Sequence, residues 1–214
     1  MTNTKNVGLV INRTGRATIL ILSLLFAGCT HNIPVQSLPN FSNTHSEKIK
    51  TKALLIISDS LSHYVYRGTG STPVHPGPLS DTWAFPLGQP TSELLRKGMP
   101  LIFEDVEVVA ERPLGNDLKS PTYGLVLKPS IESFDFGLGP PSWVRVKYKI
   151  EVSDSNGKVV FHKIATGRGE SKAAHFDLAS KTALAKAADD AVQTGVNLLL
   201  DSLSRMSIET NLVR

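Results

Sequence analysis

Apolar and polar positions alternate with different periods in different stretches of the chain, and each period implies an element. Residues 17–27 form an uncharged, mostly apolar run behind a polar, basic leader that ends at Arg16. A run of that length suits the core of an export signal, whereas a bilayer-spanning helix needs about 20 apolar residues. Ala53-Leu54-Leu55-Ile56-Ile57 is short, continuous and rich in branched side chains, the pattern of a strand buried on both faces and central in a sheet. Residues 67–82 mix glycine, proline, serine and threonine and read as a long loop. A helix is expected between Trp83 and Met99, starting near Thr91-Ser92-Glu93 after Pro90, with Leu94, Leu95 and Met99 on one side.

The second half reads mainly as strands. Val106, Val108 and Ala110 alternate within a strand expected over Phe103 to Ala110, and Arg112 to Pro121 reads as a turn-rich connection. Tyr123 to Phe136 forms another strand, interrupted by Pro129. Trp143 to Val152 shows a period of two: Val144, Val146, Tyr148, Ile150 and Val152 share one face, and Arg145, Lys147, Lys149 and Glu151 the other. The Asn156-Gly157 pair suits a primed hairpin turn, which returns Val159 to Thr166 antiparallel. From Leu178 to about Met206, residues Ala185, Ala188, Val192, Val196, Leu199, Leu203 and Met206 recur at helical spacing. The expected class is α+β: an antiparallel or mixed sheet of about five strands, with one face covered by a long C-terminal helix and a shorter helix.

Composition adds limits. A chain of 214 residues with 41% hydrophobic and 20% charged content is ordinary for one globular core. The net charge of +4 comes largely from the leader, where Lys5, Arg13 and Arg16 stand without an acid. Without them the chain carries about +1, too little field for a phosphate backbone, so nucleic acid is set aside as a partner.

The segment Leu25-Phe26-Ala27-Gly28-Cys29 resembles the lipobox of bacterial lipoproteins, with Phe26 where that family prefers leucine. The resemblance implies cleavage between Gly28 and Cys29 and a diacylglycerol on the Cys29 thiol, with fatty acids such as palmitate serving as the membrane anchor. It divides the chain into a signal peptide over 1–28, a lipidated tether over 29–48 and one α+β periplasmic domain over 49–214. Thr30 follows the cysteine; by the sorting rule of Gram-negative lipoproteins this implies the periplasmic face of the outer membrane. Cys29 is the sole cysteine, so no disulfide is expected. The lipobox, the Ala-Leu-Leu-Ile-Ile strand, the Val-Lys-Tyr-Lys-Ile hairpin ending in Asp154-x-x-Gly157 and the Ala-rich last helix are similar in layout to YajG-like envelope lipoproteins. The likeness to LptE, a partner subunit in lipopolysaccharide export, is looser. Both imply a non-catalytic accessory protein.

Candidate chemistry is sparse. The six histidines lack zinc-site spacing, and no metal or cofactor is expected. Asp59, Ser60, Ser62 and His63 lie close together but without a Gly-x-Ser-x-Gly elbow, and a capped turn explains them. Gly68-Thr69-Gly70, Gly137-Leu138-Gly139 and Gly167-Arg168-Gly169 read as turns and strand ends, since none completes a dinucleotide fingerprint. Glu104, Asp105 and Glu107 read as the solvated face of an edge strand. Two groups are candidates for partner binding: the basic row Arg145, Lys147 and Lys149, and Trp83 with Phe85 as a lip on the loop from Gly68 to Phe85. The sequence thus points to a lipid-anchored accessory or scaffold protein, not an enzyme, that binds another envelope component. The alternative is a lipid or glycolipid carrier with its pocket between helices and sheet.

Overall fold

The computed structural model describes residues 30–41, 48–70, 81–110, 123–139, 141–171 and 178–209, with the side chains of 178–180 and 207–209 excepted. The strands are β1 (Thr30–Asn32), β2 (Ala53–Ile57), β3 (Val65–Gly68), β4 (Thr82–Pro86), β5 (Val106–Ala110), β6 (Leu125–Gly137), β7 (Ser142–Asp154) and β8 (Val159–Ser171). The helices are α1 (Asp59–Ser62), α2 (Gly88–Ile102) and α3 (Leu178–Glu209). The class is α+β, with two mixed sheets. A five-stranded sheet has the order β5-β2-β6-β7-β8, and a three-stranded sheet has the order β1-β4-β3.

The apolar run Ala53–Ile57, paired in parallel with β5 and β6, is buried at every position because Ala53, Leu55 and Ile57 join the main core while Leu54 and Ile56 pack with Val126 in a second cluster on the other face. On β7, Val144, Val146, Tyr148, Ile150 and Val152 are each no more than 1% exposed. They face α3, whose Ala188, Val192, Val196, Leu199, Leu203 and Met206 form the matching buried stripe, with Ala185 partly buried beside it. The Tyr148 hydroxyl is fully buried and is satisfied by Thr91 Oγ1 on α2 at 3.1 Å. Burial holds that phenol well above its ordinary pKa, against the opposing effect of the Thr91 hydrogen bond.

The structure departs from the sequence expectations at several places. Gly167 and Gly169 are not turn residues; they lie inside β8, where α3 passes with its backbone against the strand. A Cβ on Gly167 would sit 1.9 Å from the Ala191 carbonyl oxygen, and one on Gly169 would sit 2.0 Å from that of Ala187. Gly195 on the helix leaves room for the Tyr148 ring in the same way. The hairpin carries a three-residue loop rather than a two-residue primed turn. Gly157 N–H donates to the Asp154 carbonyl, Asp154 N–H to that of Lys158, and Gly157 takes φ 80°. The Asp154 carboxylate accepts from the Asn156 and Lys158 amides, and the extra residue is absorbed as a register shift next to Val152. Pro129 does not interrupt its strand, because β2 pairs with β6 only as far as Leu127 and leaves the proline beyond that ladder.

The expected long loop is bounded by strands: β3 begins at Val65 and β4 at Thr82, and residues 71–80 lie outside the described residues. Trp83 to Pro86 belong to β4, so the helix starts at Gly88 instead of near Thr91. Leu87 caps it without a side-chain bond, and Pro90 fits the first turn, where its missing amide has no intrahelical partner to lose. Nor do the residues after Thr30 run as a free spacer. Thr30–Asn32 pair in parallel with Thr82–Ala84, Ile33 is wholly buried and Val35 is buried beside it. The strap continues along α3, where Gln36 N–H donates to Asp189 Oδ1 (2.6 Å) and the Asn40 carbonyl accepts from Gln193 and Asn197 (3.0 Å each). Residues 42–47 lie outside the described residues.

Candidate functional site

On the face of the five-stranded sheet away from α3, Leu54, Ile56 and Val126 are buried in a small second cluster while β7 and β8 carry polar side chains, and a concave point lies where β2 ends. β6 and β7 continue past Ile57, and the chain leaving β2 turns into α1, so a step remains between the short strand and the long ones. The step forms a pocket of about 190 Å³ lined by Ser58, Ser60, Lys128, Ser130, Lys149 and Glu151, with Ile56 and Pro129 at its base. Ser58 Oγ caps α1 by accepting from Leu61 N–H (3.1 Å) and lies 2.8 Å from Ser60 Oγ.

Of the basic row, Lys149 alone reaches this pocket. Its Nζ lies 2.8 Å from Glu151 Oε1. That hydrogen bond holds the Glu151 carboxyl below its ordinary value and the Lys149 ammonium above its own. The pair is solvent-exposed and so worth little to stability. Lys128, which the sequence reading passed over, enters the pocket without an ion pair among the described residues; its position before Pro129 marked a break in a strand and gave no sign of a site. Lys147 is half-buried between Ser133 and Thr166 on the neighbouring strands. Arg145 is exposed, its guanidinium 5.5 Å from the Trp143 ring, and it stands opposite Asp135 on β6 and Arg168 on β8. The three basic residues therefore occupy three environments along one strand.

Trp83 and Phe85 are in a different place altogether. Both point inward from β4, at 7% and 0% exposure, so neither ring forms a surface lip. They join Tyr66, Phe134 and Phe136 in an aromatic cluster that seats the small sheet against β6, with Phe85 at 4.7 Å from Phe134 and 4.9 Å from Phe136. Trp83 Nε1 has no hydrogen-bond partner among the described residues. His31 stacks on the same indole at 4.5 Å and meets Asp81 at 3.2 Å. Gly28 and Cys29 lie outside the described residues.

The remaining candidates resolve into local structure. His63 Nδ1 contacts Ser62 Oγ at 3.0 Å and the Asp59 carbonyl at 3.2 Å, all within one capped turn. Lys52 sits between Asp105 (3.9 Å) and Glu107 (3.8 Å), and the Tyr123 hydroxyl donates to Glu107, which raises the phenol's pKa. Among the described residues no three His, Cys, Asp or Glu side chains gather as a metal site, and no helix is long and apolar enough to cross a membrane.

No family model and no curated protein sequence matches the chain. Solved structures do match. A DUF330 protein from Xanthomonas campestris is 13% identical with a TM-score of 0.47, over 86% of this chain and 100% of that one. A Caulobacter crescentus protein, provisionally described as a lipoprotein, is 13% identical with a TM-score of 0.41, over 65% of this chain and 90% of that one. The lipoprotein GNA1162 from Neisseria meningitidis is 12% identical with a TM-score of 0.32, over 62% and 92%. At such identities no residue role passes from any of them to this chain.

Proposed function

We propose that the chain is a lipid-anchored protein of the bacterial envelope that binds another envelope component and performs no catalysis of its own. The observation that carries the reading is the Leu25–Cys29 lipobox directly behind an uncharged apolar run. Each buried acyl CH₂ contributes about 0.8 kcal/mol, so the two chains of a diacylglycerol on Cys29 hold the protein at a membrane stably where a single chain would exchange. Thr30 after the cysteine favours the periplasmic face of the outer membrane. The partner surface is the polar face of β7 on the side of the five-stranded sheet away from α3, with Lys149 and Lys128 in the pocket at the end of β2 and Lys147 farther along the strand. A lipid carrier needs free space between helices and sheet. Here the Gly167 and Gly169 contacts bring the α3 backbone down onto β8, and Tyr148 fills the centre.

Intact-mass analysis of membrane-purified protein, beside Cys29→Ala, tests the anchor. Diacylglycerol mass on the native chain and a soluble Cys29→Ala variant are expected; an unmodified native chain refutes the anchor. A photo-crosslinking residue at Thr166, opposite Lys147 in the register, should capture one recurring envelope component, and capture unchanged when the crosslinker is moved to the hairpin at Asn156 would refute the sheet-face assignment.

A further inference from the structure

We infer that one end of the fold rests on the surface of the bilayer that holds the anchor, with Trp143, Arg145 and Arg168 among its headgroups. The inference rests on acylation of Cys29 as proposed above. The first residue after that cysteine is already part of the fold: Thr30 pairs with Thr82, and Ile33 N–H donates to the Ala84 carbonyl at 2.9 Å. Consecutive Cα atoms are about 3.8 Å apart, so no slack chain separates the lipid-bearing residue from a strand of the small sheet.

The register shows which end this is. His31 pairs with Trp83, and the Trp83 ring lies 6.2 Å from Phe136. Phe136 is adjacent to Gly137, which pairs with Trp143 at the start of β7. The start of β1, the end of β6 and the start of β7 therefore stand at one level. On the face away from α3 there, Trp143 is half-buried, Arg145 lies over its ring, and Arg145 is registered directly against Arg168 on β8. Two like charges directly opposite each other on adjacent strands are unfavourable in a protein standing alone. Neither guanidinium has an ion pair among the described residues; the exposed Asp135 stands opposite Arg145 on β6, and the exposed Glu170 opposite Trp143 on β8. Lipid phosphates supply what the pair lacks, because a guanidinium binds phosphate oxygens in a bidentate fork. An indole beside it suits the membrane–water boundary, where tryptophan is enriched. With Asp135 and Glu170 flanking, the end carries charges of both signs, which fits a headgroup layer containing phosphatidylethanolamine. The hairpin at Asn156 lies at the other end of β7, about 36 Å away along the strand by the rise over the eleven steps from Trp143 to Asp154.

The test uses the full acylated chain in phosphatidylethanolamine and phosphatidylglycerol vesicles that carry a headgroup spin label. Lipid occupies the Cys29 sulfur, so Glu170→Cys or Asn156→Cys introduces the one thiol available for a fluorophore. The expected result is loss of fluorescence for the label at 170 and none for the label at 156. Equal quenching of both, or of neither, on protein whose mass shows acylated Cys29 overturns the orientation while leaving the anchor standing. A mass without acyl chains overturns both. Arg145→Glu with Arg168→Glu should reduce quenching at position 170 without changing the mass added at Cys29; unchanged quenching overturns the role given to the arginines.

Discussion

The two faces of β7 are built from neighbouring residues of one strand and behave as different materials. Toward α3, Val144 to Val152 are sealed in contacts that leave no room for a methyl group at Gly167. Toward solvent, Arg145, Lys147, Lys149 and Glu151 meet ring faces, hydroxyls and each other with space to spare. Alternation alone assigned every one of these residues to its side. What the alternation does not convey is how much more tightly one side tolerates change, and that difference is where stability and function separate in this molecule.

The sharpest way to break the comparison is Gly167→Val. Its Cβ would fall 1.9 Å from the Ala191 carbonyl oxygen and 2.6 Å from Gly195 N, both backbone atoms that cannot swing aside. A loss of about 3 kcal/mol or more is expected, measured by urea denaturation, because overpacking against rigid backbone is the costly kind. Next comes Tyr148→Phe, which keeps the packing but leaves Thr91 Oγ1 without its buried partner. It should cost about 1–3 kcal/mol, and a change near zero would mean that water or another group satisfies the threonine.

Two carboxyls extend the comparison to pH with opposite signs. Burial raises the Asp189 pKa, Asp190 adds to the rise, and the Gln36 amide opposes it. The folded state therefore holds the Asp189 proton more tightly than the unfolded chain. This penalty is present at neutral pH, is relieved as pH falls through the raised value, and is gone below the ordinary 3.8. Glu151 runs the other way: its depressed pKa contributes stability above the ordinary 4.5 that disappears as pH falls through the folded value. Denaturation midpoints from pH 6 down to 3 on Asp189→Asn and Glu151→Gln should show the two slopes removed in opposite directions. The smallest effect belongs to Lys147→Ala, which should move stability by no more than about 0.5 kcal/mol while abolishing partner capture at the sheet face. A large loss of stability instead would show that the polar face of β7 is structural.

Much of the fold was legible wherever an element was long enough to repeat its pattern. β7 and α3 show their periods over many residues, and β2 shows the uninterrupted branched run of a strand buried on both faces. The three-stranded sheet was not legible. β1 has three residues, and β4 offers only Trp83 and Phe85 in alternation before Pro86, next to a stretch whose glycines and prolines speak for a loop. The start of α2 was obscured because Leu87 caps it without a side-chain bond. The glycines of β8 carried a signal that could be read only once the helix was in place, since the requirement for a missing Cβ comes from Ala187 and Ala191 on another element. The candidate site was half visible for the same reason. Lys149 stood in a regular row, whereas Ser58, Ser60 and Lys128 become neighbours only because β2 stops short of β6.

The strap along α3 also bears on the order in which the molecule is completed. Gln36 and Asp189 are 153 positions apart, as are Asn40 and Gln193, and these are among the longest-range contacts of the fold. A chain synthesised from its amino end has no partner for residues 36–40 until its last helix has been made. Thr30 to Ile33 find their partners on β4 early, whereas residues 36–40 close onto the finished body as one of the final steps of folding.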